Sequence, residues 1–81
     1  MDSLIKAIKE ETLSSIFSKH NVIIDNINRT LFNVAKKGET KMIFDCREYN
    51  EEVKKNVIDY YRIKEFIVEY DYTQNEIVIK W

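Results

Sequence analysis

Eighty-one residues suffice for one modest hydrophobic core and are too few for two, so residues 1–81 read as a single domain. Hydrophobic residues at 44% beside charged residues at 33% exclude a disordered chain, which pairs low hydrophobicity with high net charge. A net charge of -1 lacks the basic footprint of a nucleic-acid binder. The lone Cys46 rules out an intramolecular disulfide and suits a reducing cytosol.

No stretch approaches the ~20 apolar residues of a membrane span, and the N-terminus lacks the pattern of a signal peptide, so a cytoplasmic location without a membrane partner is expected. Residues 1–41 hold seven Lys/Arg against five Asp/Glu, and residues 42–81 hold six against nine. The mildly acidic second half reads as an ordinary solvated surface.

Asp2 or Ser3 can cap a helix from Leu4, because a short side-chain oxygen there accepts a bond from an unpaired backbone NH. Leu4, Ile5, Ile8, Leu13, Ile16 and Phe17 then recur at helical spacing, opposite Lys6, Lys9, Glu10 and Lys19. The spacing lapses near His20 and Asn21, which places a bend there, although one continuous helix to Lys37 is the alternative. A second helical stripe takes Ile24, Ile27, Leu31, Val34 and Ala35, and Lys36-Lys37-Gly38 ends it, since cations and a left-handed glycine suit a helix C-terminus. One glycine leaving a helix is a structural cap, not a phosphate loop.

Thr40–Cys46 alternates, with Met42, Phe44 and Cys46 on one face and Lys41, Ile43 and Asp45 on the other, as in a strand. Asn50 then caps a third helix with Glu51 and Glu52 in its first turn, and Val53, Val57, Ile58, Tyr60 and Tyr61 form its apolar side to about Lys64. Phe66–Trp81 reads as a β-hairpin. With Thr73–Glu76 as the turn, Tyr72 faces Ile77, Tyr70 faces Ile79, Val68 faces Trp81 and Glu69 faces Lys80.

These elements predict an α+β fold: N-terminal helical segments, then strand-helix-strand-strand. The last strand is the most continuously apolar and belongs in the centre, giving a three-stranded antiparallel sheet in the order 1-3-2 with helices on one face. Met42, Phe44, Cys46, Phe66, Val68, Tyr70, Tyr72, Ile77, Ile79 and Trp81 form the covered face. On the other, Ile43, Ile67 and Val78 make an aliphatic patch ringed by Lys41, Asp45, Glu69, Asp71 and Lys80, the pattern of a partner or self-association surface. Ile43, Ile67, Val78, Glu69 and Lys80 are therefore the candidate partner-binding residues. The competing reading is that β-branched residues are simply good strand formers, or that the first helix covers this face.

Catalytic constellations fail for want of residues. One His and one Cys make a four-ligand Cys/His metal site impossible within the chain, and no HExxH or CxxC spacing occurs. A Cys46–His20 nucleophilic pair is conceivable, but Cys46 falls on the covered face, where a thiol behaves as a small hydrophobe. Glu51–Glu52 and Asp45–Glu48 are too local to act as acid and base. The expectation is no enzyme, no catalytic residue, no metal and no cofactor. Tyr70, Tyr72 and Trp81 would stack on bases only if their face were open, while Tyr49, Tyr60 or Tyr61 could mark a protein interface.

From about Leu31 onward the chain resembles small, mostly uncharacterised α+β proteins of tailed bacteriophages of Gram-positive hosts. The resemblance lies in Val34-Ala35-Lys36-Lys37-Gly38-Glu39-Thr40, the helix around Val53–Tyr61 and the closing Ile77-Val78-Ile79-Lys80-Trp81. The chain departs from it at Lys64-Glu65, where those relatives often have Gly. The resemblance implies a phage accessory protein in the host cytoplasm that binds and inhibits a host or defence component, hence a host-encoded protein partner. A virion or assembly protein acting as a homo-oligomer is the second expectation. A nucleotide or nucleic-acid binder is the third, against which the charge balance argues.

Overall fold

One helical run, α1 (Ser3–Lys36), occupies the first half of the chain in this computed structural model, which describes residues 3–81. The cap expected at Asp2 lies outside those residues. At His20 the backbone leaves helical geometry (φ -129°, ψ 35°), so two helical segments meet at a kink within the run. The lapse in apolar spacing marks that position. His20 Nε2 lies 3.1 Å from Asn56 Nδ2 of the next helix, which holds the kink against its neighbour.

The C-terminus of α1 closes as its residues dictate. Gly38 sits at φ +83°, the Gly38 N–H donates to the Ala35 carbonyl (2.9 Å) and the Glu39 N–H to the Val34 carbonyl (3.3 Å). This is the Schellman arrangement, which satisfies carbonyls the helix leaves unpaired. After β1 (Lys41–Asp45), Asn50 accepts from the Val53 N–H at 2.9 Å and starts α2 (Glu51–Ile63), as its side chain predicts. The hairpin follows as β2 (Ile67–Asp71) and β3 (Glu76–Lys80). The sheet is antiparallel throughout, in the order β1-β3-β2, and the fold is α+β as expected.

The core lies between the helices and one sheet face. Ile24, Ile27, Val57, Tyr61, Ile77 and Ile79 are almost fully removed from water, each stabilising the fold by about 1.5–3 kcal/mol before its ordering entropy. Tyr60 and Tyr61, weighed as interface markers, belong to this core because α2 turns them inward. Tyr49 is half-buried and stacks on Phe44 with ring centres 5.8 Å apart.

The hairpin register differs from expectation by two residues. Tyr70 faces Ile77, Val68 faces Ile79 and Glu69 faces Val78, while Ile67 faces Lys80. The turn residues decide this. Asp71 Oδ1 accepts from the backbone N–H groups of Thr73 (2.9 Å) and Gln74 (3.1 Å), and Asn75 takes a positive φ of 56°. Both are residues whose short polar side chains favour such turns. The turn is therefore Tyr72–Asn75, one residue earlier than read, with Asp71 facing Glu76.

A shift of two preserves which face each side chain takes. It does move the ends: Tyr72, expected under the helices, lies in the turn and is 81% exposed, and Trp81 beyond β3 is partly exposed. The start of α1 also departs from expectation. Leu4, Ile5 and Ile8 are exposed, and no described residue before Leu13 is even half-buried. The domain is too short to reach them, so about 15 Å of helix runs past the core as an arm.

Candidate protein-interaction surface

Because side chains alternate along a strand, covering one sheet face leaves every second residue on the other. The registers arrange that outer face as three rows across β1, β3 and β2: Lys41–Lys80–Ile67, then Ile43–Val78–Glu69, then Asp45–Glu76–Asp71. One end carries two cations, the other three carboxylates, and aliphatic side chains lie between. Ile43 is 51% and Ile67 60% exposed, while Val78 in the centre is half-buried by its neighbours. Neither described helix covers this face, on which Ile43 and Ile67 stay exposed.

All five candidate residues, Ile43, Ile67, Val78, Glu69 and Lys80, thus fall on one surface. Glu69 and Lys80 are diagonal rather than opposite, yet their side chains form an ion pair at 3.2 Å. At the acidic end Arg47 binds Asp45 with two guanidinium contacts of 3.2 and 2.8 Å. Those hydrogen bonds hold the Asp45 carboxyl below its ordinary range, so it stays ionised.

The two sheet edges are treated differently. The Thr40 carbonyl accepts from the Trp81 N–H and the Cys46 N–H donates to the Asn75 carbonyl, both at 3.0 Å. Hydrogen-bonded pairs alternate along an antiparallel ladder, so even-numbered residues of β1 bond β3, and the backbone groups of Lys41, Ile43 and Asp45 point outward. On β2 the same alternation turns Val68 outward. There the Arg62 guanidinium from α2 donates to the Val68 carbonyl at 2.8 and 3.3 Å, occupying that outward acceptor. Among the described residues no hydrogen bond covers the outward backbone groups of β1.

Behind the acidic end lies a network that the sequence reading overlooked. Lys54 of α2 is buried, with Nζ 3.1 Å from the Tyr70 hydroxyl and 3.4 Å from Asn75 Oδ1. The Asn75 carbonyl also receives the Cys46 thiol at 3.1 Å. Lys54 shares a helix face with Val57, Ile58 and Tyr61 by i, i+3, i+4, i+7 spacing, and that was the available signal. The cation holds the turn from the α2 side and also lies 3.5 Å from the exposed Glu51 carboxylate.

Cys46 is fully buried, and burial pushes its thiol up from its ordinary range, the opposite of what a nucleophile needs. Its thiol bonds the Asn75 carbonyl while His20 contacts Asn56, so the two residues have different partners. Among the described residues no group of three or more His, Cys, Asp or Glu gathers as metal ligands. No helix among them is long and apolar enough to cross a membrane. An apolar groove of about 410 Å³ between α1 and the sheet end is walled by Leu31, Phe32, Phe66 and Trp81, with Lys64 at its rim.

The fold and this surface define a small α+β domain with one covered and one open sheet face. Comparisons of the chain with protein-family models, curated proteins and solved structures give no match.

Proposed function

We propose that this is a non-enzymatic binding protein that acts by covering a surface of another protein, with the outer sheet face as its recognition surface. The observation that supports this best is the zoning of that face: exposed Ile43 lies beside Val78 and exposed Ile67 diagonal to it, with lysines at one end and carboxylates at the other. An aliphatic centre supplies desolvation, and charge of opposite sign at the two ends sets orientation on a complementary partner. The resemblance to phage accessory proteins extends the proposal to inhibition of a host or defence component in the host cytoplasm.

The bared arm of α1 favours a second contact. Ile5, Ile8, Thr12 and Ile16 follow one helical ridge, of which only Ile16 is buried in the domain, so the arm can lay an apolar stripe into a groove of a partner.

Affinity capture with the tagged protein from nuclease-treated lysates of infected and uninfected host cells tests the function. One stoichiometric host protein is the expected catch. Virion proteins alone would replace the inhibitor reading with a part of the particle or its assembly.

A further inference from the structure

We propose that β1 pairs with β1 of a second copy of this chain, antiparallel about a two-fold axis through Ile43, joining two three-stranded sheets into one of six strands. Exposed edge strands template further pairing unless they are blocked. Here Arg62 occupies the outward Val68 carbonyl of β2, whereas the outward backbone groups of Lys41, Ile43 and Asp45 are all left for an incoming strand. The inference stands independently of partner capture through the sheet face.

The sequence of β1, Lys41-Met42-Ile43-Phe44-Asp45, has the chemistry of a palindrome. Centred on Ile43, antiparallel pairing sets Lys41 opposite the second copy's Asp45, Met42 opposite its Phe44 and Ile43 opposite its Ile43. Charges are complementary and apolar side chains meet on both faces.

Other registers lose this match. Moving the axis to Lys41 or Asp45 sets that charge against itself. Moving it to Met42 sets Glu39 against Asp45, and moving it to Phe44 sets Lys41 against Arg47. Registers with the axis between residues put the outward backbone groups out of phase. One symmetric arrangement therefore satisfies both backbone and charge, and a closed two-fold leaves the β2 strands, each with Arg62 on its Val68 carbonyl, at the outer edges.

The interface is a single pair of five-residue strands, well below the ~1,200 Å² of a stable complex, so the dimer is reversible and concentration-dependent. Forming it lines up Val78 and Ile43 of one copy with Ile43 and Val78 of the other, doubling the aliphatic centre of the outer face.

Sedimentation equilibrium of the full chain from micromolar to millimolar concentration tests this. Wild type is expected to pass from monomer to dimer. Lys41→Asp alone and Asp45→Lys alone each place like charges opposite one another and weaken the dimer by roughly tenfold or more. An equal mixture of these two variants forms the heterodimer. Ile43→Pro abolishes dimerisation while keeping the fold by circular dichroism, because the Ile43 N–H is not used by β3. A wild type that stays monomeric over the whole range overturns the proposal, as does a dimer indifferent to both charge reversals.

Discussion

Lys54 of α2 and Asn75 of the hairpin turn lie 3.4 Å apart at Nζ and Oδ1, with the Tyr70 hydroxyl bonded to both, at 3.1 Å from the lysine and 3.0 Å from the asparagine. A buried cation reaching across the domain thus holds the turn that sets the register of the sheet. The hydrogen bond from Lys54 to Tyr70 keeps the ammonium's proton above its ordinary range despite burial. Lys54→Met keeps the aliphatic stem and removes the three-way bond. It should lower the urea midpoint and speed amide exchange in the Tyr72–Asn75 turn, measured by hydrogen–deuterium exchange, while Lys55→Met on the exposed side of α2 changes neither.

Gly38 tests the helix end. At φ +83° with nothing within 4 Å of where a Cβ would stand, Gly38→Ala meets no neighbouring atom but strains an L residue in the left-handed region. Thermal unfolding should show a loss of about 1 kcal/mol, with Gly38→Asn losing less because asparagine tolerates the left-handed region.

Ile79 faces Met42 on one side and Val68 on the other and is fully buried in the central strand. Ile79→Ala should cost about 2–5 kcal/mol through lost burial and the cavity left behind, whereas Ile8→Ala on the arm should leave stability within about 0.5 kcal/mol. Equilibrium urea unfolding of the two variants measures the contrast.

Stability should fall on the alkaline side. Burial raises the Tyr61 hydroxyl and the Cys46 thiol above their ordinary values of 10.0 and 9.0. Both groups hold protons more tightly folded than unfolded, so their contribution is fully present below those ordinary values. It is lost as the pH climbs toward the raised ones, because the unfolded chain then binds fewer protons. Unfolding measured from neutral pH upward should show a plateau and then a decline. Tyr61→Phe, which gives up the 2.6 Å bond to Asn28, should cost about 1 kcal/mol at neutral pH and flatten the decline.

Much of this architecture is legible in the residues themselves. Alternation in Met42–Cys46 and in the hairpin fixes faces and strand order, Asn50 starts a helix and Gly38 ends one, because each acts locally through backbone chemistry. The register lies two residues from the one that apolar alternation predicts, because Asp71 and Asn75 bid for the turn more strongly than Thr73 and Glu76. The exposure of the arm is not legible in the residues, because helical periodicity reports which face is apolar and not whether the domain is long enough to cover it. Ile43, Ile67 and Val78 were readable as one surface from strand period alone. The Arg62 bond to Val68 was not, since it depends on how α2 lies over β2.

The most direct test of the recognition surface is the affinity of a captured partner for the wild type beside Ile67→Lys and Val78→Lys, measured by calorimetric titration with each variant's melting checked. A buried lysine on the outer face should weaken binding roughly tenfold or more with the fold intact. Unchanged affinity for both folded variants would contradict recognition through the sheet face.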